Sequence, residues 1–218
     1  MELHDIPLRE LKKAKTKVAL YESTLTLLGR GMFRDVMLDD ICRMAGISRV
    51  TFFNLFRKKE DLLVYFMRLW LTWRIIEIGQ QRLRGFAAIR HLFAQAARQT
   101  EEYPGIMPSL IAFLSEMNMH PCMPELSLAE VLLLFPGHDE EGMVSPDMFA
   151  LFHRCVLEAA EDGTLRQSIP PEHAVQCLFT AFYGAFLTSQ LYADSDVMAF
   201  YEVQLRLIEE PSHGNDKE

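Results

Sequence analysis

Apolar residues return every three or four positions along almost the whole chain, the period of an amphipathic helix rather than the alternation of a strand. The first run sets Leu11, Ala14, Val18, Tyr21, Leu25 and Leu28 on one stripe. Lys12, Lys13, Lys15 and Lys17 lie mostly off it, and Gly29 and Gly31 end it. A short helix is predicted over Leu38–Ala45, with Ile41 and Ala45 turned inward and Gly46 as its stop. Ser48 stands where the next helix needs an N-cap, and Phe52 and Phe56 share a face of that helix. A long helix follows from Glu60 to Gln80, striped by Leu62, Phe66, Leu69, Trp73 and Ile76. Further helices are predicted over 86–102, 106–119, 125–135, 147–161, 172–192 and 196–209, separated by stretches bearing Pro or Gly. Gly163 fits a helix end, and Ser168 with Pro170-Pro171 fits the start of the next. No segment alternates long enough for a sheet, so the expected fold class is all-α.

Charge divides the chain. Residues 1–59 hold 12 Lys and Arg against 7 Asp and Glu, and the remainder holds 10 against 23, within a total of −8 over 218 residues. A head at +5 can meet a polyanion while a body at −13 stays clear of it. The expected division is a DNA-binding head over 1–59, a helical body over 60–210, and a polar tail over 211–218. The start of the chain shows no basic region followed by an apolar run, and Cys42, Cys122, Cys155 and Cys177 form no CxxC pair. Residues 174–193 carry no charge, but Gln176, Thr180, Thr188, Ser189 and Gln190 interrupt them and acids flank them. They read as a buried helix rather than a membrane span. A cytoplasmic location with reduced cysteines and no membrane partner is expected.

The densest local signal runs from Leu38 to Phe56, with the whole motif at about 37–56. A short helix, a glycine turn, an apolar plug and a capped second helix make a helix-turn-helix. Ala45 is small enough for the helices to cross closely, Gly46 suits the turn, Ile47 fills the gap and Ser48 caps. Arg49, Val50 and Thr51 then stand at the start of the second helix, free to face a major groove. Arg49 is the candidate for direct base reading, because Arg pairs bidentately with guanine. Thr51 suits a phosphate or a thymine methyl, and Asn54 is a further base-reading candidate. Lys17 and Arg43 are candidates for phosphate contact, and Arg57-Lys58-Lys59 extend the positive charge.

Residues 12–63 resemble the DNA-binding domain of the TetR family of bacterial transcriptional regulators. The resemblance rests on Asp40-Ile41, Ala45-Gly46-Ile47-Ser48, Thr51-Phe52-Phe53, Phe56 and Lys59-Glu60-Asp61-Leu62-Leu63. It implies that Lys59 anchors to the DNA backbone near the fourth helix. It also implies a dimer, a near-palindromic operator in double-stranded DNA, and a small-molecule effector. Residues 161–166 through Pro171-Glu172 are similar to the lead-in to that family's dimerising helices. The chain departs from the pattern at several positions. Phe53 stands where a tyrosine hydroxyl usually meets phosphate, and Leu55 where Tyr or His is common. Lys58 replaces the Ser that usually caps the fourth helix. Met37 replaces a capping Thr, leaving Asp35 as the substitute cap.

In the body, Ala174, Ala181, Gly184, Ala185 and Thr188 form a stripe of small residues expected at a two-fold interface built with 196–209. Trp70, Trp73, Met107, Phe113, Met117, Phe135 and Phe152 are candidates to line a pocket for an apolar effector, with plain core filling as the competing reading. His173 and Cys177 lie at i,i+4, and His120 and His153 lie near Cys122 and Cys155, but no full zinc-like set appears. No GxSxG, P-loop, GxGxxG or HExxH is present, so neither an enzyme nor a cofactor is expected. The leading expectation is a dimeric regulator, a repressor released by its effector. The alternative is a helical ligand-binding or interaction protein of the same fold with weak or lost specific DNA binding.

Overall fold

The computed structural model describes residues 3–29, 31–117, 122–192 and 196–211. Among these the elements are helical: α1 (Leu8–Leu28), α2 (Leu38–Met44), α3 (Arg49–Phe53), α4 (Asp61–Gln80), α5 (Gly85–Glu102), α6 (Ile106–Met117), α7 (Leu128–Leu134), α8 (Asp139–Met143), α9 (Met148–Glu161), α10 (Pro171–Leu191) and α11 (Val197–Ile208), with single 3₁₀ turns at Leu3–Asp5 and Phe33–Asp35. The all-α expectation holds. His120 and nearly all of the tail lie outside the described residues.

The helices pack into two compact units, Met1–Ile76 with Gln99–Pro146, and Glu77–Arg98 with Asp147–Glu218. Packing therefore groups the chain differently from a cut at residue 59. The reason lies in the first core, where Leu20, Phe33, Ile41, Phe52 and Phe56 of the head share one cluster with Phe113, Val131 and Phe135. A three-helix head of this size exposes much of its apolar surface when alone, and α6 and α7 cover it.

Buried polar groups reinforce this unit. Lys17 on α1 reaches Glu130 on α7, with Nζ 3.0 Å from Oε1. The Tyr65 hydroxyl donates to the same carboxylate at 3.0 Å. Ser127 and Glu130 form a reciprocal capping box at the start of α7. Arg68 is wholly buried on α4, where Nη2 donates to the Gly142 carbonyl at 2.6 Å and Nη1 to the Thr72 hydroxyl. At the corner between α5 and α6, Gly105 N–H donates to Gly29 O at 3.2 Å, and a Cβ on Gly105 would lie 1.9 Å from the Gly31 carbonyl oxygen. Only glycine permits that approach.

The second unit is centred on Phe93, Phe152, Phe182 and Tyr201, whose rings meet at centroid distances from 4.4 to 6.4 Å. The Tyr201 hydroxyl donates to the Phe182 carbonyl, so the ring is buried with its polar end satisfied. Arg90 on α5 pairs with Glu202 and Glu209 of the α11 region. No described helix is long and apolar enough to cross a membrane.

Candidate nucleic-acid interface

The helix-turn-helix forms as its residues dictate. Ile41 is fully buried, and Gly46 takes φ +67° at the turn. Ser48 caps α3, its Oγ accepting from Thr51 N–H at 3.1 Å. Phe52 is buried and meets Phe56 at 5.6 Å between centroids, which seats α3 on the core. The opposite side of α3 stays in solvent. Val50 is 72% exposed and Phe53 49% exposed, and Arg49 and Asn54 are exposed beside them.

The charged residues of the motif are less available than the sequence suggests. Arg49 Nη1 lies 3.2 Å from Asp39 Oδ1, and Arg43 Nη1 lies 3.0 Å from Asp40 Oδ1. These pairs stand in water, so they hold the side chains weakly and yield at little cost. Two lysines differ. Lys17 was expected at phosphate, but its side chain is only 13% exposed and its ammonium is committed to Glu130. Lys59 was expected on the DNA backbone. Its Nζ instead donates to the carbonyls of Phe33, Arg34 and Val36 at 2.9, 3.2 and 2.8 Å, and lies 4.7 Å from the Phe33 ring centroid. Three converging carbonyls use all three of its protons. Lys59 therefore pins the loop that leads into α2.

Asp35 does not cap α2. The N-cap is Met37, which has no capping side chain, and Asp35 lies two residues too early to reach the first free N–H groups. At the start of α4 no side chain among the described residues takes the capping role of Ser; the Asp61 carboxylate instead reaches back to accept from the N–H groups of Arg57 and Lys58 at 2.9 and 3.2 Å, fixing the turn before the helix. Exposed cations remain at Lys12, Lys13 and Lys15 on α1 and at Arg57 and Lys58.

The residues expected to line an effector pocket belong mostly to core packing. Met107, Phe113 and Phe135 are buried, while Trp70, Trp73 and Met117 pack partly buried against the first unit's core. Trp73 and Phe135 meet at 5.2 Å between ring centroids, tilted by 57°. Phe152 belongs to the second unit, edge-on to Phe179 at 5.1 Å. A cleft of about 300 Å³ opens elsewhere in the first unit, lined by Thr72, Ile75, Glu140, Glu141, Val144 and Pro146. No helical period over 136–146 announces it, because Pro136, Gly137 and Pro146 break that stretch. Among the described residues no three His, Cys, Asp or Glu side chains converge as metal ligands would.

The small-residue stripe is corrected in the same way. Ala174, Ala181 and Ala185 are buried within the chain's own second unit, leaving them little surface to offer a second copy. They let neighbouring helices of the same chain approach closely. Gly184 and Thr188 lie half-buried at the margin, with the Thr188 hydroxyl donating to the Gly184 carbonyl. The outer face of α10 and α11 instead carries Leu187, Leu191, Val203 and Leu207, all exposed.

No family model matches the chain, and no curated protein matches it in sequence. Solved structures do match in shape. One is a protein solved in work on the control of antibiotic production by bacterial hormones. It is 18% identical, with 94% of this chain and all of that chain covered, at a TM-score of 0.60. The fatty acid degradation regulator FadR from Bacillus halodurans matches at 15% identity over 88% of this chain and 93% of its own, TM-score 0.57. The reduced form of NemR from E. coli matches at 18% over 89% and 98%, TM-score 0.54. The chain thus shares the all-α fold of these solved structures.

Proposed function

We propose that this chain is a transcriptional regulator that binds double-stranded DNA as a homodimer. In this reading it is a repressor that leaves a near-palindromic operator when a small, largely apolar effector binds. The observation that carries the reading is α3: capped by Ser48, seated on Phe52 and Phe56, and presenting Arg49, Val50, Phe53 and Asn54 to solvent. That is the posture of a helix meant for a groove.

Dimerisation is supported by the outward apolar row on α10 and α11. Leu191 is 85% exposed, and Leu187 on α10 and Val203 and Leu207 on α11 are exposed as well. Such a patch on neighbouring helices suits a four-helix junction of two copies. Two heads about 34 Å apart would then meet successive turns of one duplex face. The cleft beside Thr72 and Ile75 has the size for a small effector, and Val144 and Pro146 give it an apolar wall. An effector acts only through its different affinities for the DNA-bound and released states.

The test is binding of the full chain to DNA upstream of its own gene, titrated against salt and against random duplex, with Arg49→Ala alongside. A regulator shows a steep fall of affinity with log salt and a strong preference for one site. A second reading, a protein of this fold without specific DNA binding, is favoured by one set of observations: Lys17 and Lys59 are committed internally and Phe53 lacks a hydroxyl. Weak binding without site preference would select it.

A further inference from the structure

The outer side of α3 mixes weakly paired charges with exposed apolar side chains. Ser48 Oγ accepts from Thr51 N–H and lies 3.0 Å from Thr51 Oγ1. Arg49 rests on Asp39 and Arg43 on Asp40. Beside the exposed Asn54, what protrudes is apolar: Val50, Phe53 and, from α2, the exposed Met44. An apolar side chain gains nothing from the donors and acceptors on base edges. In unmodified DNA the major groove offers one apolar feature, the 5-methyl group of thymine. The setting is right for a duplex, since exposed Lys12, Lys13, Lys15, Arg57 and Lys58 belong to the same basic head.

Resting on the regulator reading above, we infer that α3 marks its half-site by packing Val50, with Phe53 beside it, against thymine methyl groups. The half-site is then defined by thymine rather than by an arginine on guanine. Each methyl removed from water on contact adds affinity in proportion to the apolar area covered. Arg49, whose exposed pairing with Asp39 yields at little cost, adds charge to the same face, while the thymine positions are set by Val50.

The experiment selects duplexes from a random pool with the full-length chain. Each thymine of the enriched site is then replaced by deoxyuridine, which lacks only the methyl group. Loss of about three- to fivefold in affinity per contacted methyl is expected at one or more positions in each half-site. Val50→Ala should bind the thymine and deoxyuridine duplexes equally at those positions. Val50 is exposed, and an unchanged circular dichroism spectrum confirms that the variant folds. Arg49→Ala should keep the thymine preference. Deoxyuridine duplexes bound as tightly as thymine ones overturn the inference, as does a deoxyuridine penalty that persists undiminished in Val50→Ala. A pool that yields no enriched sequence overturns the regulator reading itself. An enriched but methyl-blind site overturns only this one.

Discussion

Lys17 and Glu130 meet at 3.0 Å between α1 and α7, with the Glu130 side chain only 3% exposed. The carboxylate also accepts from Tyr65 and from Ser127 N–H and Oγ–H. Removing one member of a buried pair strands the other. Glu130→Ala should therefore lower unfolding stability by about 3–5 kcal/mol in urea titration. Replacing both partners, Lys17→Met with Glu130→Met, should cost less than the two single changes summed. An additive result would mean that the pair has no coupling.

Lys59 gives a prediction that separates anchoring of the loop from phosphate contact. Lys59→Met leaves three carbonyls without their shared donor and should cost about 2–3 kcal/mol of stability. Lys59→Arg should rescue poorly, since a planar fork does not fit three converging oxygens. The slope of log affinity against log salt should stay unchanged in a folded Lys59 variant. A slope reduced by about one would place Lys59 on a phosphate instead.

Two glycines should respond oppositely to the same change. Gly105→Ala drives a methyl into the Gly31 carbonyl and should destabilise by about 3 kcal/mol. Gly79→Ala, in the exposed part of α4 with nothing within 4 Å of the new Cβ, should stabilise by about 0.5–1 kcal/mol. Thermal melts of both variants check the pair.

The four cysteines should divide by reactivity. Cys122 and Cys177 are exposed, whereas Cys42 and Cys155 are buried. Burial pushes the Cys155 thiol up to about 11, which keeps it protonated near neutral pH. Iodoacetamide at pH 7.5 should label Cys122 and Cys177 in the folded chain, and the other two only after denaturation. Mass spectrometry reads the outcome directly.

The outer face of α10 and α11 predicts the assembly state. Leu191→Glu with Leu207→Glu should leave the helical spectrum intact and yield a monomer in sedimentation. Ala181→Leu should instead damage the fold, because Ala181 is buried within its own unit.

Much of the fold was legible because each long helix carries its own stripe. The predicted ranges for α4, α5, α9, α10 and α11 agree with the structure to within about two residues, and Gly46, Ser48 and Phe52 define the turn by local chemistry alone. α8 was not legible. It is five residues, Asp139–Met143, and its one buried position is Gly142, which leaves no apolar period to read. Site roles failed where they depend on long-range partners. Nothing near Lys17 in sequence announces Glu130, and nothing near Lys59 announces a loop some two dozen residues earlier. The alanines of α10 failed for another reason: a helix apolar almost all round does not say which side faces its own chain. The exposed Leu187 and Leu191, at i,i+4 on the other side, were the available signal.

Ser109 ties these threads together. Its hydroxyl donates to the Gly105 carbonyl at 2.6 Å and accepts from the Phe33 N–H at 2.8 Å, on the same loop that Lys59 pins. The approach to α2 is thus bolted to α6 by a single oxygen atom. If α6 slid while Phe33 stayed behind, an amide hydrogen would be abandoned in a dry interior. The two must travel as one piece, so the posture of the helix-turn-helix is set from inside the first unit.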